Sequence, residues 1–218
     1  MEVNISKRWF RSDGAGWHPG LYEWFFSNTR RGVELRAQDE EIIYGFLEAI
    51  LKPTHSILEF GPGTGNYTVP LARRCPRVVT IEPSEAMQEY LRRRLDQKGL
   101  TNVEARLGRL QDGVGTTEKF DGALVIGPLY YVRDLKEGLL ALTAALKPGG
   151  WTIFNVPLLT PEGWFQFLNE LFARRRVYLR SAEETIKLAE EIGLKVERSG
   201  TVGTTRRGLN LVVLARRA

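Results

Sequence analysis

Between residues 34 and 51 apolar side chains recur every third or fourth position, at Leu35, Ile42, Ile43, Phe46, Leu47 and Ile50. That spacing predicts one buried face of a helix, which Pro53 ends. The pattern then alternates. Short apolar runs at 56–60, 77–81, 122–126 and 151–156 predict buried strands, with a weaker one at 103–107. Between them, 67–74, 85–98 and 135–146 carry helical spacing, and Met87, Leu91 and Leu95 share a face of the second. Lys147-Pro148-Gly149-Gly150 reads as a turn. This rhythm predicts a mostly parallel sheet with helices on both faces. After residue 160 a helix is expected over 162–178, carrying the basic run Arg174-Arg175-Arg176. Ser181, with Glu184 three residues on, opens another helix that Gly193 closes. Two strands follow at 195–204 and 209–215, and the link between them is too short for a parallel crossover. The sheet therefore closes with an antiparallel C-terminal strand. At the other end, 28–32 reads as a turn, preceded by the aromatic residues Trp9, Phe10, Trp17, Tyr22, Trp24, Phe25 and Phe26.

A chain of 218 residues suits one domain: an aromatic segment at 1–33, an α/β core at 34–160, and a helical insert with a closing hairpin at 161–218. Charge adds little, because 31 Lys and Arg against 26 Asp and Glu give a net charge of +5. Without a basic patch on a recognisable module, that surplus disfavours nucleic acid as the partner. A single cysteine, Cys75, excludes a disulfide framework and a multi-cysteine zinc site. His18 and His55 are the only histidines, so no metal centre is expected. No apolar run approaches the ~20 residues of a membrane span, and the first residues lack the apolar core of a leader peptide. The expected setting is reduced and cytoplasmic.

Chemistry concentrates in Glu59-Phe60-Gly61-Pro62-Gly63-Thr64-Gly65, where a strand gives way to a helix. Glycine at every second position lets the backbone turn tightly and approach a ligand. Glu59 stands at the strand end, and Glu82 ends the next strand, 17 residues after Gly65. In open α/β sheets ligands bind at the carboxyl ends of strands, and an acid there accepts from ribose hydroxyls. The loop departs from the dinucleotide spacing, since Asn66 stands where the third glycine of that motif would fall.

The stretches LEFGPGTGNYTVPLA, VVTIEPSEAMQEYLRRRL and FDGALVIGPLYYVRDLKEGLLALTAALKPGGWTIF resemble the class I S-adenosylmethionine-dependent methyltransferases over about residues 40–160. The nearest flavour is the type 11 group that includes ubiquinone and menaquinone biosynthesis enzymes. The resemblance implies a Rossmann-like seven-stranded sheet and S-adenosyl-L-methionine as cofactor, with S-adenosyl-L-homocysteine as product. It implies methyl transfer to a small-molecule acceptor by in-line displacement; a homodimer is a candidate assembly. Residue by residue, Glu59 would face the methionine amino group, while Gly61, Pro62, Gly63 and Gly65 would wrap the amino-acid end. Glu82 would hold the ribose diol, Pro83, Ser84 and Met87 would border ribose and adenine, and Gly127 would offer backbone to the methionine portion. Arg109 replaces the acid that commonly meets adenine, which leaves the backbone around Leu110, or Gln111, for that task.

Aligning nucleophile, methyl and sulfur while excluding water needs no strong base, so scarce histidines are no obstacle. Tyr22, Trp24 and Phe25 are candidates for a lid whose aromatic faces suit a sulfonium. Tyr130 and Tyr131 follow the fourth strand, where an acceptor would sit, and His18 is a candidate base beside a capping role. His55 and Cys75 read as structural, and Arg92-Arg93-Arg94 as a solvated face. Competing readings are an RNA or protein methyltransferase, and a protein that binds the cofactor without catalysis.

Overall fold

The computed structural model describes residues 18–110, 117–172, 176–203, 205 and 207–218; Trp9, Phe10, Trp17, Gln111, Arg174 and Arg175 lie outside them. Seven strands, β1 Ser56–Phe60, β2 Arg77–Glu82, β3 Val103–Leu107, β4 Phe120–Val125, β5 Leu146–Pro157, β6 Leu194–Val202 and β7 Asn210–Arg217, form a sheet in the order β3-β2-β1-β4-β5-β7-β6. β1 to β5 pair in parallel, and β7 runs antiparallel to both its neighbours. This is the mostly parallel sheet that the alternation predicts, in the seven-stranded Rossmann-like form that the resemblance implies, with its single reversed strand at the C-terminus.

Two layers of helices complete it. α2 (Arg30–Ile50) and α3 (Thr68–Arg74) bury one face with Ile57, Val78, Leu124 and Ile153. α4 (Glu85–Gln97) joins that layer through Val69, Leu91 and Leu95. α5 (Leu135–Ala145) and α7 (Ala182–Glu191) cover the other face over Leu58, Val79, Ala123 and Phe154. The strands therefore read as continuous apolar runs, because both faces are buried. The two edge strands, β3 and β6, are the exceptions. β3 carries Glu104 and Arg106, which pair with each other and with Arg77 and Glu118, a charged fringe that discourages further strand pairing. No described helix is long and apolar enough to cross a membrane.

Three expectations change. The supposed turn at 28–32 is a one-residue junction between α1 (Pro19–Asn28) and α2, in which Thr29 accepts from the Gly32 N–H and donates to the Phe25 carbonyl. Gly32 is there for closeness, since an added Cβ would stand 2.3 Å from that carbonyl oxygen. Lys147-Pro148-Gly149-Gly150 is not a separate turn but the irregular start of β5: Leu146 already pairs with Phe120, and the register shifts before Gly122. Gly149, at φ 73°, takes the backbone where other residues are strained. The helix expected over 162–178 ends earlier, as α6 (Pro161–Phe172), and the chain returns to bridge Arg180 with Leu158.

His55 is structural, as expected. Its Nδ1 accepts from Trp151 Nε1 at 3.3 Å, and burial holds its pKa down, so the ring stays a neutral acceptor. Trp151 in turn lies flat against Gly122, where an added Cβ would stand 2.2 Å from the indole ring. Gly122→Ala should therefore destabilise the fold by about 1–3 kcal/mol through overpacking. Urea denaturation checks this, and an unchanged midpoint would show that the ring moves aside freely.

Candidate functional site

The site is built where the connections from β1 and β4 leave the sheet in opposite directions, the switch point at which open α/β sheets bind ligands. β1 ends in Glu59 and Phe60, and the following loop is held by Gly61 N–H donating to the Ile81 carbonyl (2.8 Å) and Gly65 N–H to the Pro62 carbonyl (2.9 Å). Gly61, Gly63 and Gly65 all have positive φ. Two of them also answer to packing: a Cβ at Gly61 would strike Pro128, and one at Gly65 would strike Leu91. Gly63 differs. No described atom lies within 4 Å of where its Cβ would stand, and the same holds at Gly127 (φ 103°), just past β4. The two glycines flank an open cradle over the strand ends.

Two buried carboxylates line it. Glu82 accepts from Gly63 N–H (3.2 Å) and Ser84 N–H (3.0 Å), so the second strand's acid holds the first strand's loop. Glu59 accepts from Thr68 Oγ1 at 2.6 Å. Burial pushes its carboxyl up to about 7, against the Thr68 bond and with help from the Glu82 charge. Ser84 is spent locally, capping α4 by accepting from the Met87 N–H, and Met87 is buried beneath it. Pro62 is buried in the loop and Pro83 is partly exposed beside Glu82. Leu110 packs against Leu129, Val132 and the α5 face, and Arg109 is exposed.

On the β4 side stands a polar relay that the sequence reading missed. Gly127 N–H donates to Asn155 Oδ1 (2.7 Å), and Asn155 Nδ2 donates to the Tyr130 hydroxyl (2.9 Å). A backbone N–H can only donate, which fixes the Asn155 amide and leaves the Tyr130 O–H proton to point onward. Burial raises the Tyr130 pKa well above 10, so it serves as a donor and not as a base. Tyr131 is partly exposed beside it. The signal was an amide side chain inside the largely apolar run of β5.

Glu23 ties α1 to the glycine loop. Its carboxylate accepts from Thr64 Oγ1 of the glycine loop and stands 3.5 Å from Arg36 of α2 and 3.9 Å from Arg94 of α4. Arg94 also donates to the Thr64 carbonyl at 2.8 Å, so it is an anchor and not part of a solvated face. Tyr22 packs against Phe26 under the Arg36 guanidinium, and burial lifts its phenol to about 12. Phe25 packs edge-on against Phe26, whereas Trp24 turns to solvent, about half exposed, and is no lid residue. His18 caps α1, accepting from the Gly20 N–H at 3.2 Å.

A buried acid with a raised pKa costs stability once it must ionise. Unfolded, Glu59 loses its proton near 4.5; folded, near 7, so rising pH between those values lowers stability. Asp39, pushed up to about 7, acts in the same sense. Glu59→Gln should flatten part of that slope and stabilise the protein at pH 8 by on the order of 2–3 kcal/mol. Urea midpoints at pH 5 and pH 8 test it, and a variant no more stable at pH 8 contradicts it.

Comparisons with known proteins agree with this geometry. Residues 57–150 match a family described as a methyltransferase domain. A protein-L-isoaspartate O-methyltransferase of Rhodopseudomonas palustris is 37% identical over 145 residues, covering 66% of this chain and 60% of that protein. A ubiquinone biosynthesis O-methyltransferase of Methylocella silvestris is 32% identical over 94 residues, 43% of this chain and 36% of the relative. The chain spans about half the length of the curated relatives it matches. Among solved structures, magnesium protoporphyrin IX methyltransferase from Synechocystis PCC 6803 with bound S-adenosylhomocysteine superposes with a TM-score of 0.70 at 16% identity, covering 91% of this chain and 98% of the other. An N-methyltransferase from Bradyrhizobium japonicum in complex with the same product gives 0.68 at 18% identity, covering 97% and 95%. Glycine loop, strand-end acids and sheet order agree with the match of residues 57–150 to a methyltransferase domain, and the fold is the one seen in these S-adenosylhomocysteine-bound methyltransferases.

Proposed function

We propose that the protein methylates a small-molecule acceptor, using S-adenosylmethionine bound in the cradle between Gly63 and Gly127. The observation that carries this reading is the open space at those two glycines, flanked by the buried carboxylates of Glu59 and Glu82. When bound, S-adenosylmethionine supplies an electrophilic methyl group on a sulfonium, displaced in line by the acceptor. Glu82, at the end of β2 and bonded to the glycine loop, is placed to accept from a ribose diol. Glu59, whose carboxyl burial pushes up to about 7, suits an amino group, which would favour its charged form. The Gly61–Gly65 backbone follows the amino-acid end, Gly127 meets it from β4, and Pro83 and Met87 border ribose and adenine.

A small acceptor fits the α1 cover, since Glu23 ties that helix to the glycine loop, α2 and α4 at once. Such a cover excludes water, and the Tyr130 hydroxyl, aimed by Asn155, positions an acceptor beside Gly127. A protein acceptor is the second reading, favoured by the identity to the Rhodopseudomonas relative. Glu59, Glu82 and Asp39 around the site disfavour a carboxylate acceptor, which they would repel.

Calorimetry with S-adenosylhomocysteine tests the site. The protein should bind it, and Glu82→Ala should weaken binding by about 1.5–3 kcal/mol, the worth of hydrogen bonds to a charged group. No heat and no thermal stabilisation with the parent protein would overturn the cofactor reading. Equal affinity in parent and variant would overturn the role of Glu82.

A further inference from the structure

Asp39 sits on the α2 stripe that faces inward, between Leu35 and Ile43, both buried core residues. Its Oδ1 is sealed from solvent and has no hydrogen-bond partner among the described residues. Among the described residues no ion pair to it is seen. Arg36, one turn earlier, is matched by Glu23 and lies over the rings of Tyr22 and Phe26. The charge that does bear on Asp39 is a like one, Glu40 of its own helix. Its own field reaches three phenols from three other elements: Tyr22 of α1, Tyr67 at the start of α3, and Tyr130 after β4. Asp39 therefore lies within electrostatic reach of Tyr22, Tyr67 and Tyr130, the last of which Asn155 holds just past β4.

An isolated buried carboxylate is costly, and folded proteins keep one where something outside the chain completes it. A neutral hydroxyl would leave the charge uncompensated, and a carboxylate would add a second. An ammonium satisfies it, and the surrounding aromatic faces attract the same charge. On the reading that the cradle binds S-adenosylmethionine, we infer that Asp39 is the acceptor-side specificity residue and that the acceptor carries an amine, bound as a cation between Asp39 and the rings of Tyr22 and Tyr67. Burial and Glu40 push the Asp39 carboxyl up to about 7, the state of an acid waiting for a cation.

Three probes of one shape separate the possibilities: benzylamine, benzyl alcohol and benzoate, each titrated by calorimetry into protein saturated with S-adenosylhomocysteine at pH 7.5. Benzylamine should bind more than about tenfold tighter than the other two. Asp39→Asn, which removes a buried unpaired charge and should melt no lower than the parent, should abolish that preference. It should leave affinity for S-adenosylhomocysteine within about twofold, since Asp39 faces the acceptor. Benzoate binding as well as benzylamine, or an unchanged preference in Asp39→Asn, overturns the inference. A tenfold loss of S-adenosylhomocysteine affinity in Asp39→Asn also overturns it, by making Asp39 a cofactor ligand. If the parent binds no S-adenosylhomocysteine at all, the cradle reading itself fails and the inference falls with it.

Discussion

The whole site hangs on carboxylates buried where β1 and β2 end. Glu82 is kept in place by two backbone N–H groups, one of them from Gly63, so the acid of one strand fixes the loop of its neighbour. That bond requires the loop to turn back on itself, which the positive φ values of Gly61, Gly63 and Gly65 permit. The turn in turn starts α3, whose Thr68 reaches Glu59. Loop shape, helix start and acid placement are thus a single arrangement, with space left open where a ligand's charge and hydroxyls would complete it.

The rest of the molecule either stiffens that arrangement or covers it. Trp151 against Gly122, held by His55, locks β5 to β4 at the far end of the sheet. At the near end, Asn155 on β5 orients both Gly127 and Tyr130, which makes the fifth strand part of the site without bearing a reacting group. α1 is held by charge: Glu23 gathers Thr64, Arg36 and Arg94 from three separate elements. Such partly exposed pairs are individually weak, so α1 is held by several of them at once.

Much of this was legible in the sequence. Strands buried on both faces appear as unbroken apolar runs, so the sheet, its parallel body and its reversed last strand could be read directly. Glu59 and Glu82 stood out because carboxylates at buried strand ends have no packing reason to be there, and the glycines because they follow one another at every second position where a strand gives way to a helix. Glycines misled in two places for a physical reason: Gly32 serves close helix approach and Gly149 a strand irregularity, and neither is a turn. Arg94 looked like a solvent-facing charge because its partners, Thr64 and Glu23, lie about 30 and 70 residues away in sequence. Asp39 carried a usable signal. It sits four residues from both Leu35 and Ile43, on the apolar stripe, where a carboxylate calls for a functional explanation.

The central claim is that the strand-end acids form a prepared cofactor site, and a structure with S-adenosylhomocysteine bound tests it most directly. The account predicts the ribose hydroxyls on Glu82, the amino group toward Glu59, and the homocysteine chain passing between Gly63 and Gly127. The product bound elsewhere, or lying there with neither Glu59 nor Glu82 within hydrogen-bond distance, would contradict it.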